Sequence, residues 1–452
     1  VWKEENNYAI DFDDIIAVKL ARNNSGFDKN AVFTQQVGKH TVRVKGNPDQ
    51  STVRSMMIGL RNPKDDGITK TVTIWVNEMR VTGFNEKVGI ATTGDFNIQA
   101  ADLLKLSGSM KYIGNNYGNI EDKISERSRG QNLEYGTAMN ISMDKFLPEK
   151  WGLKIPVYTS YDKQIITPQY NPLDPDVKSK DAISSIQDPE ERDDFKKKIV
   201  YNKEIKSVNV TNLRKVSTNK TKKKKVYSVD NFTVSAGYTE ETRSGINNEN
   251  SSIGNNLQSY KQQRYKGSLG YFYTVKQKPF EPFKKSKLVK SKHLKLIKDF
   301  NFNFLPNDFA IKFDLDRIYT RTQLYNTALT IEGVDPTYEK SFWFNRTYKM
   351  SWNFTKNLRL TYDATTKSIV DEPEGNRDGD DLITRDEYQA TVQDNLLSGG
   401  RAKQFEQNVE LTYKIPLNKI PMLSWINSSL SYKGGYKWTS GAEGNNDPSD
   451  NA

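Results

Sequence analysis

Apolar and polar residues alternate along this chain in about twelve separate runs, each ended by a turn or a loop. In residues 342–354 the even positions are mostly aromatic, whereas the odd positions include Asn345, Thr347 and Lys349. Because alternate side chains of a β-strand point to opposite faces, each run predicts a strand with one apolar and one polar face. A succession of such strands predicts a large antiparallel sheet whose two faces meet different solvents.

The composition agrees with strands that are apolar on one face only. Of the 452 residues, 35% are hydrophobic and 11% are aromatic, and there is no cysteine. A membrane β-barrel has this profile, because only the outward half of each strand is apolar. No run of about 18 apolar residues is present, so the sequence predicts no transmembrane helix. The chain starts at Val1 without a leader, and we interpret it as a fragment of a longer protein.

Residues 1–87 predict a small β-sandwich domain, because short strand-like runs there are separated by Asn, Gly and Pro turns. The predicted strands are Asp11–Leu20, His40–Lys45, Val53–Leu60 and Thr71–Val81. His40 has no His or Cys close to it in the sequence, so we interpret it as structural rather than as a metal ligand.

From residue 88 the strand-like runs become longer. The predicted strands cover 89–99, 103–113, 133–144, 151–163, 203–213, 229–242, 260–275, 308–325, 338–355, 358–370, 405–415 and 424–438. The expected fold class is all-β. Residues 88–440 predict an antiparallel transmembrane β-barrel of about twelve strands, which forms an arc of a much larger barrel. The small N-terminal β-sandwich precedes it, and residues 441–452 are expected to form a loop after it.

Short and long connections alternate along the barrel region. The long ones are 114–132, 167–201, 245–257 and 371–403, and most of the others are tight, although 214–228 and 277–298 are extended. Outer-membrane barrels have short periplasmic turns and longer extracellular loops. We therefore assign the tight connections to the periplasm, and we expect residues 1–87 on the extracellular side.

Three connections carry helix signals. Asp188-Pro189 offers an N-cap and a first-position proline, and residues 385–397 predict a helix ended by Gly399-Gly400. Leu and Val spaced among the lysines of Lys284–Lys298 predict a basic amphipathic helix. That helix either lies along the membrane surface or packs on the barrel wall.

The polar faces of the predicted strands carry charged residues. Burying unpaired charges in a protein core is costly, whereas a hydrated lumen tolerates them. The candidate lumen-facing residues are Lys105, Lys111, Lys312, Asp314, Asp316, Lys349, Arg359, Asp363, Glu410, Lys414 and Lys433.

The sequence predicts no enzyme and no cofactor, since it contains no GxSxG, HExxH or phosphate-binding loop. The net charge of +11 comes mainly from Lys220–Lys225 and Lys284–Lys298, and no nucleic-acid-binding fold surrounds either, so we do not predict nucleic-acid binding. The acidic run Asp378-Gly379-Asp380-Asp381 near Glu387 leaves open a calcium site, although solvated loop acids are the default interpretation.

Several segments resemble, in order, the SprA/Sov family, the outer-membrane translocon of the Bacteroidetes type IX secretion system. The resemblance extends from about Ile10 to Trp438. The segments are Ile74–Gly89, Ile124–Tyr135, Phe146–Asp176, Leu296–Asn307, Pro336–Gly375 and Ile415–Ile426.

The resemblance implies a very large single-chain barrel in the cell outer membrane. Folded cargo proteins with C-terminal sorting domains would pass through its lumen, and the same protein would support gliding motility. It also implies a PorV-type barrel partner, a periplasmic plug protein and outer-membrane lipid as partners. Two alternatives stay open: a surface adhesin made of β-repeats, and a plugged-barrel receptor for nutrient uptake.

Overall fold

The structure is a computed structural model of the chain. It describes residues 7–51, 53–62, 67–83, 87–123, 126–217, 225–246, 257–275, 277–284, 294–324, 335–379 and 383–441. The fold is mostly β, with few helices. No helix among these residues is long and apolar enough to cross a membrane.

One 13-stranded antiparallel sheet dominates the structure. Its strands are β3 (Ala91–Ala100), β4 (Leu104–Ile113), β5 (Gly130–Ser142), β6 (Leu153–Lys154), β7 (Pro156–Pro168), β10 (Tyr201–Lys215), β11 (Phe232–Ser244), β12 (Leu257–Thr274), β13 (Asp308–Leu324), β14 (Thr337–Asn353), β15 (Leu358–Ile369), β16 (Arg401–Ile415) and β17 (Ser428–Thr439). Each of the twelve strands predicted after residue 88 has a counterpart here, so the period-2 interpretation of that region is confirmed.

The strands lie side by side in chain order from β3 to β17, with short β6 off this path and paired with β10. The sheet is not closed into a barrel, because β3 and β17 each pair on one side only among the described strands. The expectation of a large antiparallel sheet is therefore confirmed, and the structure gives an open sheet rather than a complete barrel.

Because neighbouring strands run antiparallel in chain order, their connections alternate between two edges of the sheet. We call one edge the tight-turn rim; it holds connections 101–103, 143–155, 216–231, 275–307, 354–357 and 416–427. We call the other the long-loop rim; it holds connections 114–129, 169–200, 245–256, 325–336 and 370–400. This alternation follows the pattern predicted from the sequence.

The prediction of an N-terminal β-sandwich is wrong. The run predicted as strand Asp11–Leu20 is instead helix α1 (Phe12–Asn24). Asp11 caps the helix by accepting a hydrogen bond from the backbone N–H of Asp13, and acidic residues in the first turn favour the positive end of the helix dipole.

A two-stranded hairpin of β1 (Phe33–Val37) and β2 (His40–Val44) follows α1, so His40 does begin a strand. Residues 53–62 and 67–83 contain no helix and no strand. The predicted strands Val53–Leu60 and Thr71–Val81 are therefore absent as paired strands.

Helix α1 docks on the long-loop rim. The connection after β7 forms the small hairpin β8 (Tyr170–Asn171) and β9 (Asp174–Lys178). The ammonium of Lys19, 2% exposed, donates to Asp174 at 2.6 Å, to Asp176 at 2.8 Å and to the carbonyl of Pro48 at 2.7 Å. Burial raises the pKa of the Asp174 carboxyl, although Lys19 opposes this shift. The N-terminal segment is thus attached to the sheet through a buried ionic contact.

Two helices predicted in the connections are confirmed. Helix α2 (Ser179–Ser185) precedes α3 (Pro189–Ile199), whose first residue follows the N-cap Asp188 as expected. The short helix α4 covers Lys295–Lys298, and α5 (Arg385–Leu397) ends before Gly399 and Gly400, which have φ values of +90° and +68°. Most of the predicted basic helix Lys284–Lys298 and of the run Lys220–Lys225 lies outside the described residues.

Candidate functional site

All eleven candidate residues lie on one face of the sheet. In β13 they are Lys312, Asp314 and Asp316, which lie two residues apart and so share a face. Cross-strand partners also share a face, and the register carries this face through each strand pair in turn. Toward β17 it passes through Asn345 and Lys349 of β14, Asp363 of β15 and Glu410 of β16 to Lys433 of β17.

Toward β3, the same register leads from Asp316 through Lys266, Gly237, Asn209, Tyr158 and Asn140 to Lys105. We call this face of the sheet the polar face. That the eleven residues line a lumen stays a prediction, since the register fixes the face they share and not what the face borders.

Charges on the polar face are paired across strands. Lys433 lies 3.4 Å from Glu410, and Lys349 lies 3.6 Å from Asp363; both are cross-strand neighbours. Lys312 lies 2.8 Å from Asp314 along the same strand. These side chains stay half or more accessible on the basic partner, so each pair contributes about 0–1 kcal/mol and leaves the face hydrated.

Sequence reasoning missed a further member of this face. Arg264 of β12 donates to both carboxylate oxygens of Asp316, at 2.9 and 2.5 Å. Arg264 directly precedes the apolar Tyr265 in β12, so the two side chains lie on opposite faces of the sheet. The alternation within β12 could therefore have identified Arg264 as a polar-face residue. Among the described residues, no carboxylate lies within ion-pair distance of Lys105, Lys111, Arg359 or Lys414.

The opposite face of the sheet, which we call the apolar face, carries exposed hydrophobic side chains. Leu430 and Tyr432 of β17 are 63% and 67% exposed, and Phe96 and Ile98 of β3 are 46% and 53% exposed. A groove of about 630 Å³ on this face, near the tight-turn rim, is lined almost wholly by apolar residues, among them Phe309, Ile311 and Phe313. A soluble protein rarely leaves so extended an apolar surface uncovered.

Aromatic pairs lie at two heights on the apolar face. Phe232 and Tyr271, with ring centres 5.0 Å apart, lie toward the tight-turn rim. Tyr238 and Tyr265, also 5.0 Å apart, lie six residues further along each strand toward the long-loop rim. At about 3.3 Å per residue the two pairs are separated by roughly 20 Å along the strand. Beyond Tyr238 the face becomes charged, beginning with Glu240 and Lys261.

Part of the apolar face is covered by the connection 371–400, which we call the strap. Phe342 of β14 packs with Val370 and with Tyr388 and Val392 of α5. Glu372 accepts two hydrogen bonds from Arg317 of β13, at 2.8 and 2.7 Å, and one from the hydroxyl of Tyr388 at 2.5 Å. Burial, and then the Glu372 carboxylate, raise the pKa of the Tyr388 hydroxyl. The strap therefore folds over the apolar face next to the long-loop rim.

The tight-turn rim has its own ionic cluster. Glu281 lies 2.5 Å from Lys284 and 2.6 Å from Lys356 of the β14–β15 turn. Hydrogen bonds from Lys284 and then Lys356 lower the pKa of Glu281 to about 2. A backbone bridge between Phe280 and Phe302 holds the two ends of this connection together. The long connection 275–307 is thus tied to its neighbouring turn.

The structure gives no support to a calcium site. The Glu387 carboxylate is used in a capping box with Thr384 at the start of α5. Asp380 and Asp381 lie outside the described residues. Among the residues that are described, no group of three His, Asp or Glu side chains could hold a metal ion.

Part of this sequence is similar to a known protein family. Residues 1–183 match the family model SprA_N, described as a motility related/secretion protein. Over these residues the chain is similar to the SprA family. The matched residues include both sides of the Lys19 contact and the first strands of the sheet, β3 to β7. A comparison with curated proteins finds no match. The match supports a role in motility or secretion at the level of the family.

Proposed function

We propose that this chain forms part of the wall of a protein-conducting channel in the cell outer membrane, the translocon of the type IX secretion system. In this role it exports folded cargo with C-terminal sorting domains and supports gliding motility. The observation that carries the proposal is the continuous polar face, which twelve neighbouring strands share while the opposite face presents a band of exposed apolar side chains.

The apolar face fits a lipid environment. Its aromatic pairs Phe232–Tyr271 and Tyr238–Tyr265 bound a band of apolar side chains. Tyr and Trp collect at the two interfaces of a bilayer in outer-membrane barrels. The strands that carry the band reach 17 and 18 residues in β13 and β12, which exceeds the roughly 9–11 that a tilted strand needs to cross hydrocarbon. The excess length accounts for the charged portion beyond Tyr238.

The polar face fits a hydrated passage. Its charges are of both signs and are partly paired, so it offers a folded protein no continuous apolar surface to adhere to. Transport through such a passage is passive, and we predict no enzymatic activity and no cofactor in this chain. A PorV-type barrel and a periplasmic plug are the partners that the family resemblance implies for the complete assembly.

The proposal is tested by secretion of a reporter protein fused to a type IX sorting domain. In a strain deleted for the full-length gene we expect the reporter to accumulate in the periplasm, and we expect the intact gene to restore export. Normal export in the deletion strain would overturn the proposal. Deletion of an unrelated outer-membrane barrel gene is the matched control, and it should leave export unchanged.

Two other functions make different predictions. A surface adhesin of β-repeats would remain soluble when the full-length protein is purified without detergent. A nutrient-uptake receptor would hold an N-terminal plug inside its barrel. In this chain, helix α1 contacts Asp174 and Asp176 at the long-loop rim.

A further inference from the structure

The free edge of β3 and the extended segment that precedes it complement each other. Strand β3 pairs only with β4 among the described strands, which leaves its outer backbone groups without a sheet partner. Residues 53–62 and 67–83 come shortly before β3 and lie in no helix or strand. An unpaired edge is not tolerated in hydrocarbon, where no water can satisfy the backbone. In the proposed membrane wall, this edge therefore requires an occupant.

The segment before β3 has the two-faced pattern of the sheet's own strands. Val72, Ile74 and Val76 alternate with polar or interfacial residues, and all three are about half exposed or more. After Glu78 the apolar positions continue at Met79 and Val81. Glu78 has a φ of +50°, the left-handed conformation that the first residue of some β-bulges adopts. A bulge at Glu78 would keep all five apolar side chains on one face.

The two parts of this segment are in contact at their adjoining ends. The side-chain amide of Asn62 donates to the carbonyl of Ile68 at 3.3 Å, and Gly67 has a φ of +63°. The adjoining ends of residues 53–62 and 67–83 are therefore already held together. In the part of the chain that the structure describes, none of residues 71–83 has a backbone hydrogen bond.

The segment between residue 50 and β3 begins and ends at the same rim, so any strands that it adds to the sheet must be even in number. The backbone N–H of Gln50 donates to Asp176 at 3.1 Å, which places residue 50 at the long-loop rim. Strand β3 also begins at that rim, because its other end, Ala100, leads into the tight connection 101–103. A chain that leaves one rim and returns to it crosses the sheet an even number of times, and the segment contains two strand-like parts.

We propose that residues 53–62 and 67–83 form a β-hairpin that pairs with the free edge of β3, with residues 71–81 next to β3. The inference rests on the proposed membrane location. Pairing Ile74 with Ile98 and Val76 with Phe96 matches the apolar faces, and the bulge at Glu78 then brings Val81 opposite Thr92. Asn77 lies opposite Asp95 on the polar face. The hairpin adds two strands to the wall and covers its edge.

Disulfide scanning of the full-length protein in its membranes tests the hairpin. This chain has no cysteine of its own, and any cysteine elsewhere in the full-length protein is first replaced by serine. Asn77→Cys is combined in turn with cysteine at each of positions 93–97. We expect intramolecular cross-links at the odd positions, strongest with Asp95→Cys, and at least about tenfold less at positions 94 and 96, whose side chains point to the other face. The pair Asn97→Cys with Ser107→Cys is the positive control, because these residues are register partners in β3 and β4.

Each outcome decides the proposal. No cross-link in the scan while the control pair forms would overturn the hairpin and leave the channel function standing. Cross-links between two chains would place a second copy on the edge and would also overturn it. If the protein instead proves soluble without detergent, the proposed function fails, whatever the scan gives.

Discussion

The ammonium of Lys19 lies 2.8 Å from a carboxylate oxygen of Asp176, although 157 residues separate them in the chain. Both side chains are 2% exposed, and Asp174 lies against the same ammonium. The contact joins the N-terminal helix to a hairpin at the long-loop rim. Because it is buried, removing one partner leaves uncompensated charge rather than a solvated side chain.

Lys19→Ala is expected to detach α1 from the rim without unfolding the sheet. Breaking a buried ion pair from one side costs about 3–5 kcal/mol, here borne by the local contact. Hydrogen exchange of the α1 amides should therefore speed up by at least about a hundredfold, whereas the β13 amides should not change. Lys178→Ala is the control, because its ion pair with Asp13 is exposed and is expected to contribute less than about 1 kcal/mol. Equal effects of the two variants would contradict this view of Lys19.

Glu372→Gln is expected to release the strap from the apolar face. The change removes the charge that holds Arg317, and it weakens the bond to the Tyr388 hydroxyl. We expect a local loss of about 3 kcal/mol, at the low end for a buried ion pair, because the Arg317 side chain keeps 24% exposure. Hydrogen exchange over α5 measures it. Asp394→Asn on the exposed side of α5 should leave exchange nearly unchanged, and unchanged exchange in Glu372→Gln would disprove the anchoring role.

The tight-turn rim should weaken in acid. The pKa of Glu281 is lowered to about 2 from the usual 4.5, so its contribution to stability is present above pH 4.5 and is lost as the pH falls toward 2. Exchange protection of the amides of Phe280 and Phe302, corrected for intrinsic rates, should decline over that range. In Glu281→Gln the protection at pH 6 should already be reduced, and the decline between pH 4.5 and 2 should be smaller. A decline of equal size in both proteins would assign it to other carboxylates.

Single cysteines can establish which face meets water. In the membrane-bound full-length protein, cysteine at Lys105, Lys349 or Lys433 should react with a charged thiol reagent at least about tenfold faster than cysteine at the neighbouring Leu106, Tyr348 or Tyr432. The thiolate is the reactive form, and hydrocarbon both suppresses it and excludes the reagent. Similar rates at neighbouring positions would show that the two faces meet the same solvent, which contradicts the channel.

Much of the sheet could be predicted because each strand has different surroundings on its two faces. In β15 and β16, apolar residues at every second position fix both the strand and its register, since a slip by one residue would invert the faces. The eleven polar-face residues could be assigned to one face for the same reason. The alternation does not indicate what covers each face.

The N-terminal helix was not predicted because its sequence fits both the two-residue period of a strand and the start of a helix. Ile10, Phe12, Ile16, Val18 and Leu20 occupy even positions as in a strand, yet Asp11 and the acidic first turn favour a helix start. The buried contact of Lys19 with the β9 hairpin supplies tertiary stabilisation that a local pattern cannot show. The strap is similar, since nothing near Glu372 in the sequence indicates Arg317 as its partner.

Chain-order pairing along the path from β3 to β17 has a consequence for assembly. Each strand of this path finds its partners among the strands nearest to it in the chain, so every new pairing closes only one connection. Loop-closure entropy is then incurred in small steps, which favours growth from an existing edge by one hairpin at a time. A sheet of this kind can gain strands at an edge without rearranging the strands that are already paired. The number of strands can therefore increase while the pattern of pairing stays the same.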